Sequence, residues 1–461
     1  MSAYGSEIYW LETAPDTPEP PLEGSLEVDV AVIGGGFTGL WSAYELGLAE
    51  PSLTMAVLEA EEVAHGGSGR NGGFAMTLLD MSLTHLVENH GVEGARLAHE
   101  AVAESVTAIG AVCRDHDIDC DYHRGGLLVV ATNEGQRMRL RDDLEAAERL
   151  GVSGFHALSG TETRALVNSP TYQEAYLEDA CATVHPARLA RGLKRVVMSR
   201  GAKVYERSLV IEIEDRGGAV ILRTPAGEVR ADRVVVATNA WASRLHAFRR
   251  KVIPLYTYIL LTEPLTDEQR AAVGWKGRQG VEDKRNYVHY YRVTADGRIL
   301  WGGSDGIIYR DLEISPSYDR NDAVFGHLEQ TFRQTFPQLD QVQFSHRWGG
   351  PVAITVPFVP YYGTLKGGRV HYGFGYNGHG VAPAHTGGRI LCDLVLDRKR
   401  GYTDLPFVHL REPAFPAGKL VTWAGAELSR RALLRQDRQM AAGKSTGRMD
   451  PWLLRLMRKL G

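Results

Sequence analysis

The sequence predicts an α/β protein with an α+β second domain: a parallel sheet faced by helices, joined to a domain built on a mainly antiparallel sheet with helices. Three observations carry that prediction. The run Val-Asp-Val-Ala-Val-Ile at 28–33 is β-branched and nearly continuous in apolar character, as a strand buried on both faces of a parallel sheet must be. Helical spacing from Phe37 to Leu48 and a second apolar run from Leu53 to Leu58 complete a βαβ unit. Between Val252 and Trp301, aromatic and β-branched residues alternate through Tyr256, Tyr258, Tyr287, Tyr290 and Ile299, the period of an antiparallel sheet with one face against something flat.

The bulk numbers bound the rest. A chain of 461 residues exceeds one ordinary core, so two joined domains are expected. Hydrophobic residues at 44% and charged residues at 23% are those of a globular protein, and a net charge of -4 gives nucleic acid no general attraction. No apolar run approaches the ~18 residues of a membrane span. Residues 1–22 have neither a basic start nor an apolar stretch of the secretory kind, so a cytoplasmic protein is expected. Cys113, Cys120, Cys181 and Cys392 form no CxxC pair and no cluster with histidine, which predicts reduced core thiols and no metal site.

Taken in order, residues 1–27 read as an extended arm, because Pro15, Pro18, Pro20 and Pro21 fix φ and remove donors. The first domain is expected over 28–83, 155–250 and 345–400, and the second over 84–154 and 251–344. Residues 84–150 carry helical patterns. Lys203 to Val236 is strand-rich, with a hairpin turn at Pro225-Ala226-Gly227 and a late strand returning to the first sheet. Gly373 to Leu396 passes from a glycine-rich turn into an amphipathic helix. Residues 401–461 form a basic tail in which Trp452, Leu453, Leu456, Met457 and Leu460 recur at helical spacing. That stripe suits packing on the body, with docking to a membrane surface or a partner as the alternative. Nothing in the sequence fixes an oligomeric state.

Two glycine-rich segments carry the chemistry. Gly34, Gly36 and Gly39 form GxGxxG between a buried strand and a helix opened by Phe37 and Thr38, and Glu59, followed by Ala60, ends the next strand. Gly34 makes the tight turn, Gly36 lets the backbone approach a pyrophosphate, and Gly39 lets helix and strand pack closely. The helix N-terminus attracts the pyrophosphate, and Glu59 can accept hydrogen bonds from a ribose. A plain glycine turn needs neither that acid nor that register. The second segment, Gly66 to Gly73, supplies Gly67, Ser68, Arg70, Asn71, Gly72 and Gly73. A nicotinamide enzyme has no need of such a loop here. One running beneath a flavin would offer it backbone N–H groups and a hydroxyl.

At these residues the sequence resembles the D-amino-acid oxidase superfamily of FAD-dependent oxidoreductases, nearest to the gamma-glutamylputrescine oxidoreductase type. The likeness spans roughly 8–415. Three further segments extend it: Ala237-Thr238-Asn239-Ala240-Trp241, Trp348-Gly349-Gly350-Pro351 through Thr355, and Gly375-Tyr376-Asn377-Gly378-His379-Gly380-Val381. The resemblance implies a Rossmann-like FAD-binding domain and a substrate domain. It places Ala237, Thr238, Asn239 and Trp241 near the FAD phosphates, and Gly350 and Gly375 to Val381 at the flavin, with Val210 also at the cofactor. It implies that a small amine or amino acid loses a hydride to flavin N5, leaving an imine that hydrolyses, with O2 or another acceptor reoxidising the flavin. His289, Tyr290, His346, Thr355 and His379 are the candidates for the substrate side, within the aromatic stretch Tyr287 to Arg292 and the neighbouring loops. An aromatic cage there would attract an ammonium through cation–π contact.

Departures from related families sharpen these expectations. No cysteine lies between Cys181 and Cys392, and Arg70 stands where a flavin-linking histidine would be, with His65 out of register, so FAD is expected to be held non-covalently. The lysine that promotes oxygen reaction in sarcosine oxidases falls near Leu300 or Trp301, which keeps a quinone-linked dehydrogenase open. An N-alkyl amino acid as substrate would need an arginine grip, for which Arg70, Arg292 and Arg347 are candidates. A non-catalytic FAD-binding protein is the alternative from another class.

Overall fold

The computed structural model describes residues 8–79, 82–356, 358–399, 401–410 and 414–444. Two large sheets organise them. In the first, strands Tyr361–Thr364, Val370–Phe374, Gly227–Val236, Gly24–Ile33, Met55–Leu58 and Lys203–Tyr205 lie side by side. The pairs from Val370–Phe374 across to Lys203–Tyr205 are parallel, as the apolar run at 28–33 requires, while the edge strand Tyr361–Thr364 and the strands Val220–Arg223 and Glu212–Asp215 are antiparallel. The expected hairpin at 225–227 joins Val220–Arg223 to Gly227–Val236, and the latter returns beside the first strand.

Helix Phe37–Ala49 covers one face of this sheet with helices Pro186–Ser199 and Val381–Val395. Close approach of two of them depends on Gly388, where a Cβ would strike the backbone of Trp41. The first and last helical segments of this unit are thus packed directly on each other.

The second sheet runs Phe344–Ile354, Ile253–Thr262, Ile299–Ile307, His289–Val293, Gly280–Asp283, Leu127–Ala131, Glu174–Glu178 and Phe155–Ser159. It is antiparallel except where Gly280–Asp283 meets Leu127–Ala131. Its back is packed by helix Asp322–Thr335 through Val324, Phe325, Leu328 and Phe332. Tyr256, Tyr258, Tyr291 and Trp301 point into that back core, where Tyr258 meets Phe325 of helix Asp322–Thr335 and Tyr256 meets Tyr309 and Tyr318.

Sheet membership departs from the expected domain boundaries at three strands. Phe155–Ser159, Glu174–Glu178 and Phe344–Ile354 hydrogen-bond into the second sheet, although 155–250 and 345–400 were expected to belong with the first. Which sheet a strand joins is set by pairing with distant residues, to which local periodicity is blind. The region 84–150 likewise holds a strand, Leu127–Ala131, between helices Leu83–Asp115 and Glu134–Leu150.

The arm is anchored rather than loose. A short helix, Tyr9–Glu12, buries Trp10, whose indole N–H donates to Asn71 O at 2.8 Å. Beyond it, buried Lys194 pairs with Asp16 at 2.5 Å and with Glu206 at 3.1 Å, and Leu22 enters the core. At the other end, helix Lys419–Ala441 is tied to the second domain, its Trp423 donating to Ile308 O at 3.0 Å and its Asp437 accepting the Asn286 N–H at 2.9 Å. The tail residues Trp452, Leu453, Leu456, Met457 and Leu460 lie outside the described residues.

Candidate active site

The first glycine turn is shaped by its lack of side chains. Gly34 has φ +107°, and a Cβ there would lie 2.7 Å from Ala237 O; one on Gly39 would run into the Gly34 carbonyl. Gly36 is covered only by Ser68, whose Oγ accepts the Phe37 N–H at 2.8 Å and so links the two glycine segments. Glu59 Oε2 accepts the Gly35 N–H at 2.7 Å and Oε1 the Glu61 N–H at 3.0 Å. Each carboxylate oxygen keeps a second lone pair for a ligand hydroxyl. Burial raises the Glu59 carboxyl above its ordinary range. Ala60 is half-buried beside it, and Val210 is buried in the segment where Ser208 N–H donates to Glu59 O at 2.7 Å.

The strand Gly227–Val236 delivers the next group. Ala237 N–H donates to Ile33 O, and the Thr238 Oγ1 beyond it is buried without a hydrogen-bond partner among the described residues. Asn239, at φ +44°, accepts the Gly375 N–H at 3.0 Å, and the Trp241 ring packs over Gly66. The last glycine loop therefore hangs on the first sheet. Asn377, at φ +51°, holds it from the other side: its Oδ1 accepts the Thr355 N–H at 3.0 Å and its Nδ2 donates to Gly375 O at 2.7 Å. Gly378 and Gly380 then lead into the N-terminus of helix Val381–Val395.

Between the second glycine loop, this last loop and the second sheet lies a cavity of about 750 Å³. Gly67, Arg70, Asn71 and Gly72 line one wall; Gly350, Asn377, Gly378, His379 and Val381 line the adjoining one. The front of the second sheet contributes Leu255, Thr257, Ile259, Tyr287, Val288 and Tyr290. Tyr290 packs edge-on against Phe74, and its phenol is pushed up to about 12 by burial. Gly73, at φ +76°, turns the loop over Val184 O and the Arg292 guanidinium.

Of the five residues expected on the substrate side, Tyr290 and His379 line the cavity and the other three do not. Strand alternation turns His289 to the back, where its ring packs at a tilt against Trp301 and its backbone N–H donates to Asp283. His346 lies against Tyr9, with Nε2 3.2 Å from a Glu12 oxygen. Thr355 is buried and donates to Val359 O at 2.7 Å, so it braces Asn377 rather than facing a ligand.

The three arginines considered as carboxylate grips are also engaged. Arg70 pairs with Asp319 at 2.5 Å and donates to His65 O at 2.8 Å. Arg292, fully buried over Trp10, donates to Val184 O at 2.7 Å and Gly73 O at 3.0 Å, propping the loop from behind. Arg347 is exposed and covers Phe325.

Sequence reasoning missed Ser304, at φ +64°, whose buried hydroxyl lines the cavity without a partner among the described residues. The signal was present in the dense run Gly302-Gly303-Ser304-Asp305-Gly306. It also missed the charged groups at the far end, Asp143, Glu282 and Lys284, which come from a helix and a strand distant in sequence. All four cysteines are buried and none is in a disulfide, with the sulfurs of Cys113 and Cys120 3.4 Å apart. No metal-binding cluster is found among the described residues, and no described helix is long and apolar enough to cross a membrane.

Comparison with known proteins agrees with this geometry. Residues 29–394 match the family model DAO, FAD dependent oxidoreductase. The chain is 32% identical over 421 residues to gamma-glutamylputrescine oxidoreductase of Escherichia coli (strain K12), covering 91% of this chain and 95% of that one. A probable oxidoreductase of Rhizobium meliloti (strain 1021) is 30% identical over 414 residues, covering 89% and 92%. Among solved structures, glycine oxidase from Geobacillus kaustophilus superposes with a TM-score of 0.70 at 21% identity, over 84% of this chain and 99% of that one. L-proline dehydrogenase from P. horikoshii gives 0.68 at 19%, over 85% and 96%.

Proposed function

This chain belongs to the DAO family of FAD-dependent oxidoreductases, and from that premise we propose that it oxidises the carbon–nitrogen bond of a small amine lacking a carboxylate beside the reacting carbon. The observation that carries this reading is the engagement of the three arginines that were candidates to grip a carboxylate. Arg70, the one candidate grip that lines the cavity, is neutralised by Asp319 and held by His65 O. Freeing it to bind a substrate carboxylate would leave Asp319 half-buried and unpaired, which is costly.

The residues present fit FAD. The Gly34–Gly39 turn admits a pyrophosphate only because no Cβ stands there, Glu59 has acceptor capacity for ribose hydroxyls, and the buried Thr238 Oγ1 has its hydrogen-bonding capacity unused. Ser68 and Asn71 would lie along the cofactor, and the N-terminus of helix Val381–Val395 would favour negative charge on it. When bound, FAD supplies the acceptor for the hydride that leaves the substrate carbon.

The chain's own residues then do the positioning. Tyr290 and Phe74 form an aromatic wall that orients the amine, and Leu255, Ile259 and Trp348 keep water from the reacting carbon. The Ser304 hydroxyl and His379 ring supply polar contacts within the same cavity. The imine product hydrolyses to an aldehyde once water enters.

A panel of primary amines, polyamines and N-methyl amino acids, assayed in air and with an artificial quinone acceptor, tests the reading. Turnover of primary amines with N-methyl amino acids inert is expected. The reverse ranking overturns the proposal, and the ratio of the two assays separates oxidase from dehydrogenase.

A further inference from the structure

The floor of the cavity crosses five adjacent strands, from Phe344–Ile354 through Ile253–Thr262, Ile299–Ile307 and His289–Val293 to Gly280–Asp283. Gly350 at one end and Glu282 at the other are thus four strand spacings apart, about 19 Å at roughly 4.8 Å each. Glu282 pairs across the ladder with Tyr290, so their side chains share the cavity face.

Glu282 is only 7% exposed, and its side chain accepts no hydrogen bond among the described residues, yet it lines both this cavity and a small one adjoining it. Lys284 attracts it but is shared with a second acid. The Lys284 ammonium pairs with Asp143, on helix Glu134–Leu150. Glu178, on the next strand but one, adds a further buried carboxylate bonded to Thr77. The Arg139 guanidinium donates to Lys284 O at 2.9 Å and to Asn286 Oδ1 at 3.1 Å. Asp283 faces the back of the sheet with His289 and is paired with Arg285, which also lines the cavity. Three buried carboxylates, Asp143, Glu178 and Glu282, therefore face two cations, Lys284 and Arg139, at this end of the cavity, leaving one acid unmatched, a balance that a ligand cation would restore.

We propose that Glu282 receives a second ammonium group of the substrate, making this a site for amines that are cationic at both ends. The proposal rests on the amine reading above. The absence of a three-ligand metal cluster among the described residues favours an organic cation. Burial and the surrounding acids push Glu282 up to about 7, so an arriving ammonium ionises it fully and gains a charge-assisted hydrogen bond.

The test measures binding to the holoenzyme by thermal shift, independently of turnover, using α,ω-diamines from 1,4-diaminobutane to 1,10-diaminodecane against the matching monoamines. Wild type is expected to bind the best diamine about tenfold or more tightly than its monoamine, the scale of one charged hydrogen bond. Glu282→Gln is expected to bring the two within about twofold. Equal binding by wild type overturns the proposal without recourse to any variant, as does a preference retained by a folded Glu282→Gln protein. Anaerobic flavin bleaching by the same amines separates the two ideas. A diamine preference without bleaching leaves the subsite standing and removes amine oxidation; bleaching with no diamine preference does the opposite.

Discussion

The hydroxyl of Thr38 donates a 2.8 Å hydrogen bond to the phenolic oxygen of Tyr376, joining residues 338 positions apart. Thr38 stands in the first turn of the helix that follows the first glycine turn, and Tyr376 stands in the last glycine loop, so this buried contact clasps the two ends of the proposed cofactor site. Thr38→Val should cost about 1–3 kcal/mol by leaving the Tyr376 hydroxyl short of a buried partner. The double variant with Tyr376→Phe should cost less than the sum of the singles. Urea denaturation of the four proteins measures this, and strict additivity would show that the contact carries no coupling.

Gly39 and Gly326 make a matched pair of glycines with opposite requirements. A Cβ on Gly39 collides with the Gly34 carbonyl, whereas Gly326 sits exposed in helix Asp322–Thr335 with nothing within 4 Å. Gly39→Ala should yield protein that loses flavin on purification. Gly326→Ala should keep it and gain up to about 1 kcal/mol of stability from helix propensity. Flavin content per chain and thermal melting read both effects.

How much of this was legible in the sequence depended on range. The strand at 28–33, the helix from Phe37 and Glu59 were readable because a βαβ unit is local and its glycines have steric causes. The anchoring of the arm was not readable from its prolines, although Tyr9 and Trp10 in an otherwise polar segment were its signal. His289 was misplaced because alternation fixes that one face is buried without saying which of two buried faces holds the ligand. Arg70 looked available because its partner Asp319 lies 249 residues away.

The buried carboxyls predict a pH dependence of stability. Burial lifts Glu178 from the ordinary 4.5 to about 7. A carboxyl raised in the folded state stabilises the fold fully below about 4.5, and that contribution is lost as pH rises through about 7. Glu178→Gln cannot ionise, so its melting temperature relative to wild type should rise between pH 5 and pH 8. A difference that is flat across that window would mean Glu178 titrates normally.

Flavin attachment gives a separate prediction. Cys181 and Cys392 are buried, and neither sulfur lines the cavity, while His65 is turned to the Arg70 side chain. Acid precipitation should release all of the FAD into the supernatant, and yellow pellets would contradict non-covalent binding.

The central claim is that an amine held against Tyr290 gives up its hydride within this cavity. Anaerobic titration of the purified holoenzyme with the best primary amine of the panel, followed at the flavin absorbance band, tests it most directly. The account predicts stoichiometric loss of that absorbance, slowed at least tenfold in rate when Tyr290→Ala opens the wall, as expected when positioning is lost. An oxidised spectrum that no amine alters, in protein shown to hold its full complement of FAD, would contradict it.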